Sequence, residues 1–120
     1  MKYFLAVDIG ASSGRHMLTH MEEDRMVLEE VHRFYNGMTE KNGHKIWDVD
    51  TLFEEIKIGM KKCASLGKIP ESMGIDTWAV DFVLLDKNGG RIGDAVAYRD
   101  ARTTGMDEGM PDCRREAYCK

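Results

Sequence analysis

The sequence predicts an α/β fold in which one helix packs on a mixed five-stranded sheet. Short apolar runs of strand length, each ended by polar or small residues, occur at 3–8, 14–21 and 25–35. The segment 48–66 instead repeats its apolar residues at helical spacing. A further apolar run at 72–78 follows that segment. Strands before and after an amphipathic helix indicate a sheet with a helix on one face.

The first two predicted strands are joined by a turn of small residues that could bind an anion. Small residues let the backbone approach a ligand, and several N–H groups can then converge on one phosphate. Ser12 and Ser13 add hydroxyl donors, and Arg15 adds a positive charge. Asp8 ends the first strand, where its carboxylate could face Mg²⁺ carried by the phosphates. A Gly/Ser hairpin turn without any ligand remains the alternative interpretation.

This turn matches neither of the two commoner phosphate loops. A Walker A loop ends in Gly-Lys followed by Ser or Thr, and the turn contains no lysine. A dinucleotide fingerprint opens a helix, whereas residues 15–19 predict a second strand. The turn is therefore predicted to be the loop of a β-hairpin.

The third strand and the helix have clear local signals. In strand 25–35 we expect Met26, Leu28 and Val31 on one face, with a possible bulge. Asp50 is the predicted helix N-cap, and Gly67 is the predicted stop. The predicted packing face of the helix consists of Leu52, Ile56, Met60 and Cys63.

The second half of the chain is predicted to complete the sheet. Residues 72–78 read as a buried fourth strand, whose end should line a ligand crevice. Residues 82–86 form the predicted fifth strand, and a tight turn leads to a returning segment at 91–98. The charged cluster at 99–102 is interpreted as a salt-bridged corner rather than a lid contact.

Several motifs resemble those of one enzyme family. The segment Asp8 to Arg15 (DIGASSGR) resembles the first phosphate loop of the ribonuclease H-like actin/hexokinase ATPase fold. Residues 74–86 (GIDTWAVDFVLLD) and 97–103 (AYRDART) resemble the FGGY family of carbohydrate kinases. The resemblance covers residues 3–106 and is nearest to the rhamnulokinase branch of that family. Two further motifs support this branch, namely His32-Arg33-Phe34 with Asn36-Gly37, and Trp47-Asp48-Val49-Asp50.

The resemblance implies ATP- and Mg²⁺-dependent phosphorylation of L-rhamnulose at its 1-hydroxyl. By this resemblance Asp8 lies near the metal, and the ATP phosphates contact Ala11, Ser12, Ser13, Gly14 and Arg15. Family members are several times longer and carry their catalytic base in a part that this chain lacks. The chain is thus expected to be the N-terminal portion of the first kinase domain, inactive alone.

The same resemblance implies a sugar site at Trp78, Ala79 and Asp81. Trp78 could stack on a sugar face, or it could be core packing. Asp81 could accept hydrogen bonds from two sugar hydroxyls, or it could cap a turn. Nearest relatives usually carry glycine where Ala79 stands, which leaves other substrates of the family open, such as fuculose, xylulose or glycerol. A non-catalytic half-domain that associates with itself is the other alternative.

Composition limits the partners and the location. The net charge is −4, which argues against nucleic acid as the main partner. No apolar run reaches the roughly 18 residues of a membrane span, and no signal peptide is recognised. Three cysteines without a close pair favour a reducing cytoplasm. We expect 1–105 to be the domain portion, and 106–120 to be an atypical tail, disordered or arising from a frame error.

Overall fold

The structure is a computed structural model, and it describes residues 1–109. The elements in chain order are β1 (Tyr3–Ile9), β2 (Ser13–Glu22), β3 (Arg25–Tyr35), β4 (Thr39–Lys41), β5 (His44–Trp47), α1 (Val49–Ser65), β6 (Pro70–Asp76), β7 (Leu84–Leu85), β8 (Arg91–Ile92), β9 (Ala95–Val96), a 3₁₀ turn (Ala101–Thr103) and α2 (Met106–Gly109). Most of the predicted tail, 110–120, lies outside the described residues. No helix within 1–109 has both the length and the apolar character needed to cross a membrane.

The main sheet has the strand order β3-β2-β1-β6. Strands β1, β2 and β3 form an antiparallel meander, and β6 lies parallel to β1. The predicted α/β class with a mixed sheet is therefore confirmed. The main sheet has four strands rather than the predicted five, because the run at 82–86 yields only β7, which pairs with β8 in a separate hairpin. A second small sheet has the order β4-β5-β9.

The predicted bulge lies where β2 pairs with β3. The pairing register shifts between His16, which lies opposite His32, and Met17, which lies opposite Glu30. The extra residue, Val31, packs against the core beneath α1. Its predicted place on the face of Met26 and Leu28 was wrong, because an extra residue in one strand interrupts the two-residue alternation.

Helix α1 is capped by a side chain at its N-terminus and by a change of backbone conformation after its C-terminus. The N-cap is Asp48 rather than the predicted Asp50, and its Oδ1 accepts the Thr51 amide at 3.0 Å. That hydrogen bond lowers the pKa of Asp48, which favours the charged form at the positive end of the helix. Gly67 follows the helix with φ of +70°, as predicted, because glycine has no Cβ to clash in this conformation.

Helix α1 packs on β2 and β3 over a core formed by Leu5, Val7, Ile9, Leu18, Phe34 and Cys63. His16 is fully buried beneath the helix, and its Nε2–H donates to the Ile56 carbonyl at 3.1 Å. Gly59 faces this imidazole, because a Cβ built on Gly59 would lie 2.1 Å from His16 Cδ2. Burial lowers the pKa of His16, so the ring is neutral at neutral pH. Helix α1 therefore packs on the sheet through the imidazole of His16, which contacts Ile56 and Gly59.

Strand β6 is an edge strand and is exposed, contrary to the prediction of a buried run. Met73 is 42% exposed and Ile75 is 49% exposed. These two side chains share the face of Leu5 and Val7, their register partners in β1, but α1 lies over β2 and β3 instead. The apolar pattern of β6 therefore indicates a strand suited to burial, at the edge of the face on which α1 packs and largely beyond the cover of the helix.

The cluster at 99–102 forms the predicted corner, centred on Asp100. The Asp100 carboxylate accepts the Lys45 amide at 2.7 Å, His44 Nδ1–H at 3.0 Å and the Arg102 amide at 3.2 Å. These hydrogen bonds lower the pKa of Asp100 from 3.8 to about 2. The corner thereby connects β5, in the β4-β5-β9 sheet, to the 3₁₀ turn at Ala101–Thr103.

Acid should weaken this corner in a defined pH range. The lowered pKa of Asp100 means that its stabilisation is present above pH 3.8 and is lost as pH falls toward about 2. The free energy of unfolding of the Asp100→Asn variant should therefore lie below that of the parent at pH 5. The difference should shrink between about pH 4 and pH 2. A difference that stays constant over this range in urea unfolding experiments would contradict the assignment.

Candidate functional site

The turn between β1 and β2 is a tight hairpin loop fixed from β3. The Gly10 amide donates to the Ser13 carbonyl at 2.8 Å, which closes the turn. Asn36, buried just after β3, donates from Nδ2 to the Gly10 carbonyl at 2.8 Å and from its amide to Ser12 O at 3.0 Å. The amides of Ala11 and Ser12 donate to no backbone carbonyl in the described part of the chain. Three hydrogen bonds therefore hold the loop, and two of its amides have no backbone acceptor and could bind an anion.

Asp8 and Arg15 lie side by side on the sheet face opposite α1. They are register partners in β1 and β2, and Arg15 Nε lies 3.5 Å from Asp8 Oδ2. The Asp8 side chain is 55% exposed. The buried Nε of Arg15 has no hydrogen-bond partner within residues 1–109. The pair presents one accessible carboxylate and one guanidinium with unused donor capacity.

Gly14 has a packing role that the sequence did not reveal. It is buried in β2, and a Cβ at this position would lie 2.1 Å from Cζ of Phe34. The absence of a side chain lets the aromatic ring cross the strand beside the loop. Among the predicted phosphate contacts, Ala11 and Ser12 lie in the turn itself, and Ser13 begins β2.

The hairpin loop and the predicted sugar loop lie at the same end of the sheet, beyond the C-terminal ends of β1 and β6. Because β1 and β6 are parallel neighbours, Asp8 lies opposite Asp76. The segment 77–83 leaves β6 at this point. Ile9, at the end of β1, lines a cavity together with Trp78 and Asp81. Parallel topology thus brings together two segments that are far apart in the sequence.

Asp81 organises two tryptophans. The indole N–H groups of Trp47 and Trp78 both donate to Asp81 Oδ2, each at 2.6 Å. The two rings lie 4.4 Å apart between centroids and are tilted by 48°. Trp47 is almost fully buried, whereas Trp78 is half-buried and bridges the main core to the small β4-β5-β9 sheet. Trp78 therefore does pack in the core, and one of its sides still borders the cavity.

The middle of this loop has an unusual backbone. Val80 has φ of +70°, a conformation that a β-branched residue rarely adopts. Its side chain is 77% exposed, and Ala79 beside it is also exposed. Strained residues of this kind cluster at functional sites, where the surrounding structure enforces them. Here the indole–carboxylate hydrogen bonds on Trp78 and Asp81 fix the loop on both sides of Val80.

The cavity between these elements has a volume of about 370 Å³. The wall of this cavity is mainly apolar and includes Trp47, whereas the sequence analysis placed only Trp78 at the sugar site. The signal for Trp47 was available, since the chain has just two tryptophans. The apolar side chains of the wall are Ile9, Val49, Leu52, Phe82, Val83 and Ala95.

The side chains beside the hairpin loop are suited to a metal ion that is bound jointly by the protein and by a phosphate group. Within residues 1–109, no three His, Cys, Asp or Glu side chains are placed to hold a metal ion by themselves. Mg²⁺ usually binds through one or two carboxylates and retains waters and substrate phosphates. The exposed Asp8 carboxylate beside the hairpin loop meets that requirement. His32, which belongs to one of the family motifs, does not line the cavity. Its Nε2–H donates to Glu55 of α1 at 2.5 Å, and its Nδ1 accepts from Lys62 at 2.8 Å.

Comparison with known proteins gives the family. The model for the N-terminal domain of the FGGY family of carbohydrate kinases matches residues 3–116. This chain belongs to the FGGY family. The predicted resemblance is thereby confirmed, and the fold described above is that of an FGGY N-terminal domain portion.

Curated FGGY relatives similar to this chain are named rhamnulokinase. The protein of Halalkalibacterium halodurans is 58% identical over 108 residues, which are 90% of this chain and 23% of the relative. That of Bacillus subtilis is 47% identical over 100 residues, 83% of this chain and 21% of the relative. The chain thus spans less than a quarter of the length of these relatives.

Solved structures share the fold at low sequence identity. The xylulose kinase from Rhodospirillum rubrum superposes with a TM-score of 0.72 at 15% identity, over 98% of this chain and 25% of that protein. The glycerol kinase of Plasmodium falciparum, solved with ADP, gives 0.67 at 18% identity, over 93% of this chain and 23% of that protein. These similarities support the FGGY fold independently of the sequence motifs.

Proposed function

We propose that this chain is the N-terminal portion of an ATP-dependent kinase that phosphorylates L-rhamnulose at its 1-hydroxyl. The observation that carries the proposal is the meeting of two loops at one sheet edge. The hairpin loop after β1 has free amides, and the loop after β6 carries Trp78 and Asp81 around a cavity. The names of the relatives support L-rhamnulose as the substrate. We take residues 1–105 as the portion of the first domain, and 106–120 as an atypical tail of a cytoplasmic enzyme.

In this proposal the two loops have separate tasks. The amides of the hairpin loop and the Arg15 guanidinium hold the ATP phosphates, and the hydroxyls of Ser12 and Ser13 add donors. Asp8 holds Mg²⁺, which would neutralise phosphate charge when bound. Ala79 and Asp81 hold the ketose through backbone and carboxylate contacts. The proposed phosphate contacts in full are Ala11, Ser12, Ser13, Gly14 and Arg15.

Phosphoryl transfer depends mostly on positioning and charge stabilisation, and these residues supply both. A carboxylate base that removes the proton from the 1-hydroxyl is assigned to the part of the kinase outside this chain. Asn36 contributes by holding the hairpin loop rigid, because it bonds to two loop carbonyls. The chain alone is thus proposed to bind its substrates without turning them over.

The Asp8→Ala variant tests the nucleotide site. It should bind ATP with Mg²⁺ roughly tenfold more weakly than the parent, which corresponds to about 1.4 kcal/mol. Without Mg²⁺ the variant should bind ATP at least as well as the parent, since a carboxylate that repels phosphate is gone. Isothermal titration calorimetry with and without EDTA measures both. Asp24→Ala, in the exposed β2–β3 turn, is the control and should change neither affinity. An equal loss with and without metal would contradict the role of Asp8.

Turnover has to be measured in an intact enzyme that contains this sequence. There Asp8→Ala should reduce turnover strongly and ketose binding only modestly. A panel of L-rhamnulose, fuculose, xylulose and glycerol decides the acceptor. If L-rhamnulose is not preferred, the enzyme is a kinase of another ketose or polyol.

A non-catalytic role has one observation in its favour. The edge strand β6 and the segment before it expose apolar side chains, among them Ile69 at 63% and Ile75 at 49%. Surfaces of this kind promote association. A half-domain that associates with itself would show a size that rises with concentration in light scattering. A monomer at all concentrations would remove this alternative.

A further inference from the structure

Two imidazoles lie side by side beneath α1, where β2 pairs with β3. His16 and His32 are register partners, and their ring centroids lie 5.4 Å apart. The register shift of the bulge follows directly after this pair. Both rings lie on the side of the sheet on which α1 packs, since both bond to that helix. The sheet therefore presents to the helix two adjacent titratable rings, the histidine pair.

Helix α1 contacts the histidine pair along one of its faces. The Nε2–H groups of the two rings donate to the Ile56 carbonyl at 3.1 Å and to the Glu55 carboxylate at 2.5 Å. Lys62 donates to Nδ1 of His32 at 2.8 Å. Glu55 and Lys62 are seven residues apart, which places them on the same helix face about two turns apart. These two turns of α1 are thus held to the sheet by contacts that depend on the protonation of imidazoles.

One nitrogen of the buried His16 ring is unpaired. Its Nδ1 has no hydrogen-bond partner in the part of the chain that the structure describes, and the ring is fully buried. Gly59 packs against the opposite edge of the ring, where an added Cβ would lie 2.1 Å from Cδ2. A proton at Nδ1 would therefore place a charge and an unpaired donor where neither bulk water nor an acceptor reaches them. His16 can be charged at little cost only after the helix has moved away.

Proton uptake by His32 would break its bond with Lys62. The Nδ1 atom accepts from the Lys62 ammonium only while it is unprotonated, because a protonated imidazole has two donors and no acceptor. Two charged rings 5.4 Å apart would also repel each other. Among the described residues, Glu55 is the carboxylate that faces the pair, and it can compensate one charge of the two. In β1 the register partner of His16 is the uncharged Val7.

We infer that the histidine pair makes the docking of α1 sensitive to acid: proton uptake by His16 and His32 releases the helix from β2 and β3 while the β1-β2-β3 meander stays paired. The inference goes beyond the proposed function, since it holds whatever ligand the chain binds. The strands stay paired because their ladders consist of backbone hydrogen bonds, which involve no imidazole.

The direction of the pH effect follows from the burial of His16. Burial lowers the pKa of His16 below its ordinary value of 6.5, so the released state binds the proton more tightly than the docked state. The contribution of His16 to docking is therefore complete above pH 6.5 and decreases as the pH falls below that value. This range lies above the one in which the Asp100 corner weakens.

Amide hydrogen exchange of the 120-residue chain, followed by NMR, measures the release. The rates are corrected for the intrinsic effect of pH on exchange. The opening constant of amides in the middle of α1, such as that of Met60, should then rise several-fold between pH 7.5 and pH 5.5, and at most about tenfold for each proton taken up. The amides of β1 are the internal reference and should keep their protection.

The His16→Gln variant tests the proton uptake itself. Glutamine can donate to the Ile56 carbonyl as the imidazole does, but it does not titrate. The acid-induced rise in the opening constant of α1 should therefore shrink to the part that His32 contributes. His20→Gln makes the same change in the same strand, at a ring that bonds to Glu22 instead of α1, and should keep the rise seen in the parent. Circular dichroism confirms that each variant is folded.

Nitrogen NMR of the imidazoles tests the inference in the parent chain, without any variant. At pH 7.5 His16 should carry its proton on Nε2, and proton uptake at Nδ1 should coincide with the opening of α1. If His16 becomes charged while the α1 amides stay protected, the inference is wrong. It is equally wrong if α1 and β1 open together, since the chain then unfolds as one unit, or if His16→Gln opens in acid as the parent does.

Discussion

Replacing Gly59 with alanine should destabilise this domain by about 2 kcal/mol, within the usual range of 1–3 kcal/mol for overpacking a core. Glycine to alanine inside a helix ordinarily stabilises by up to about 1 kcal/mol. Here the new Cβ would lie 2.1 Å from Cδ2 and 2.2 Å from Nε2 of His16. The imidazole is fully buried between α1 and the sheet, so it has no space to retreat. Either the ring leaves the Ile56 carbonyl or the helix moves outward.

Urea unfolding followed by circular dichroism measures the effect. The decisive comparison is a double-mutant cycle with His16→Ala, which removes the ring that the new methyl group would meet. In that background Gly59→Ala should be neutral or stabilising. Gly74→Ala is a matched control, since a Cβ there would have no neighbour within 4 Å. If Gly59→Ala raises the midpoint in the parent, the packing of α1 around His16 is not as described.

Replacing Asp81 with alanine should cost about 2–3 kcal/mol of stability and abolish ketose binding. The Asp81 carboxylate accepts from both indoles at 2.6 Å, and hydrogen bonds to a charged group contribute roughly 1.5–3 kcal/mol each. The two contributions do not add fully, because they share one oxygen and Trp78 is only half-buried. The buried Trp47 N–H would be left without a partner, which accounts for most of the loss.

Tryptophan fluorescence and urea unfolding report on this change together. The emission of the folded Asp81→Ala variant should differ from that of the parent, because both tryptophans lose the same acceptor. The emission and the unfolding midpoint of Asp81→Asn should lie between those of the parent and of Asp81→Ala, since asparagine keeps an acceptor oxygen but not the charge. Asp76→Ala, an exposed carboxylate just before the same loop, serves as the control. An unchanged midpoint in Asp81→Ala would mean that the carboxylate does not hold the tryptophans.

The parts of the fold that depend on local sequence were predicted well. The β1–β2 hairpin, the β2–β3 hairpin and the stop of α1 at Gly67 each follow from a nearby signal, such as a turn residue or a change of period. The burial of β6 was wrong, because an apolar pattern reports that a strand suits a core and not which element covers it. The prediction that 82–86 forms a fifth strand of the main sheet was wrong for a related reason, since Leu84 and Leu85 pair only with the short β8.

The sequence named the residues that the structure brings together at the ends of β1 and β6, but it did not predict the contacts between them; their roles stay predictions. The segment around Trp78 and Asp81 was recognised through family motifs, and its link to Trp47 was not. Those residues are distant in the sequence, and the bond from Trp47 to Asp81 exists only because β5 and the loop after β6 meet in space. Asn36 is named in the sequence analysis only as part of a family motif, although its side chain donates to the hairpin loop.

The parallel pairing of β1 with β6 also joins parts of the chain that are far apart in the sequence. The meander β1-β2-β3 is closed by two short turns, so its contacts are local and form at low entropic cost. Strand β6 is separated from β1 by β2, β3, the β4–β5 hairpin and the whole of α1, so its pairing closes a long loop at a higher entropic cost. The strand that is most costly to dock is thus the one that leads into the Trp78–Asp81 loop. A ligand bound at the site proposed there would offset part of this cost by stabilising the docked strand.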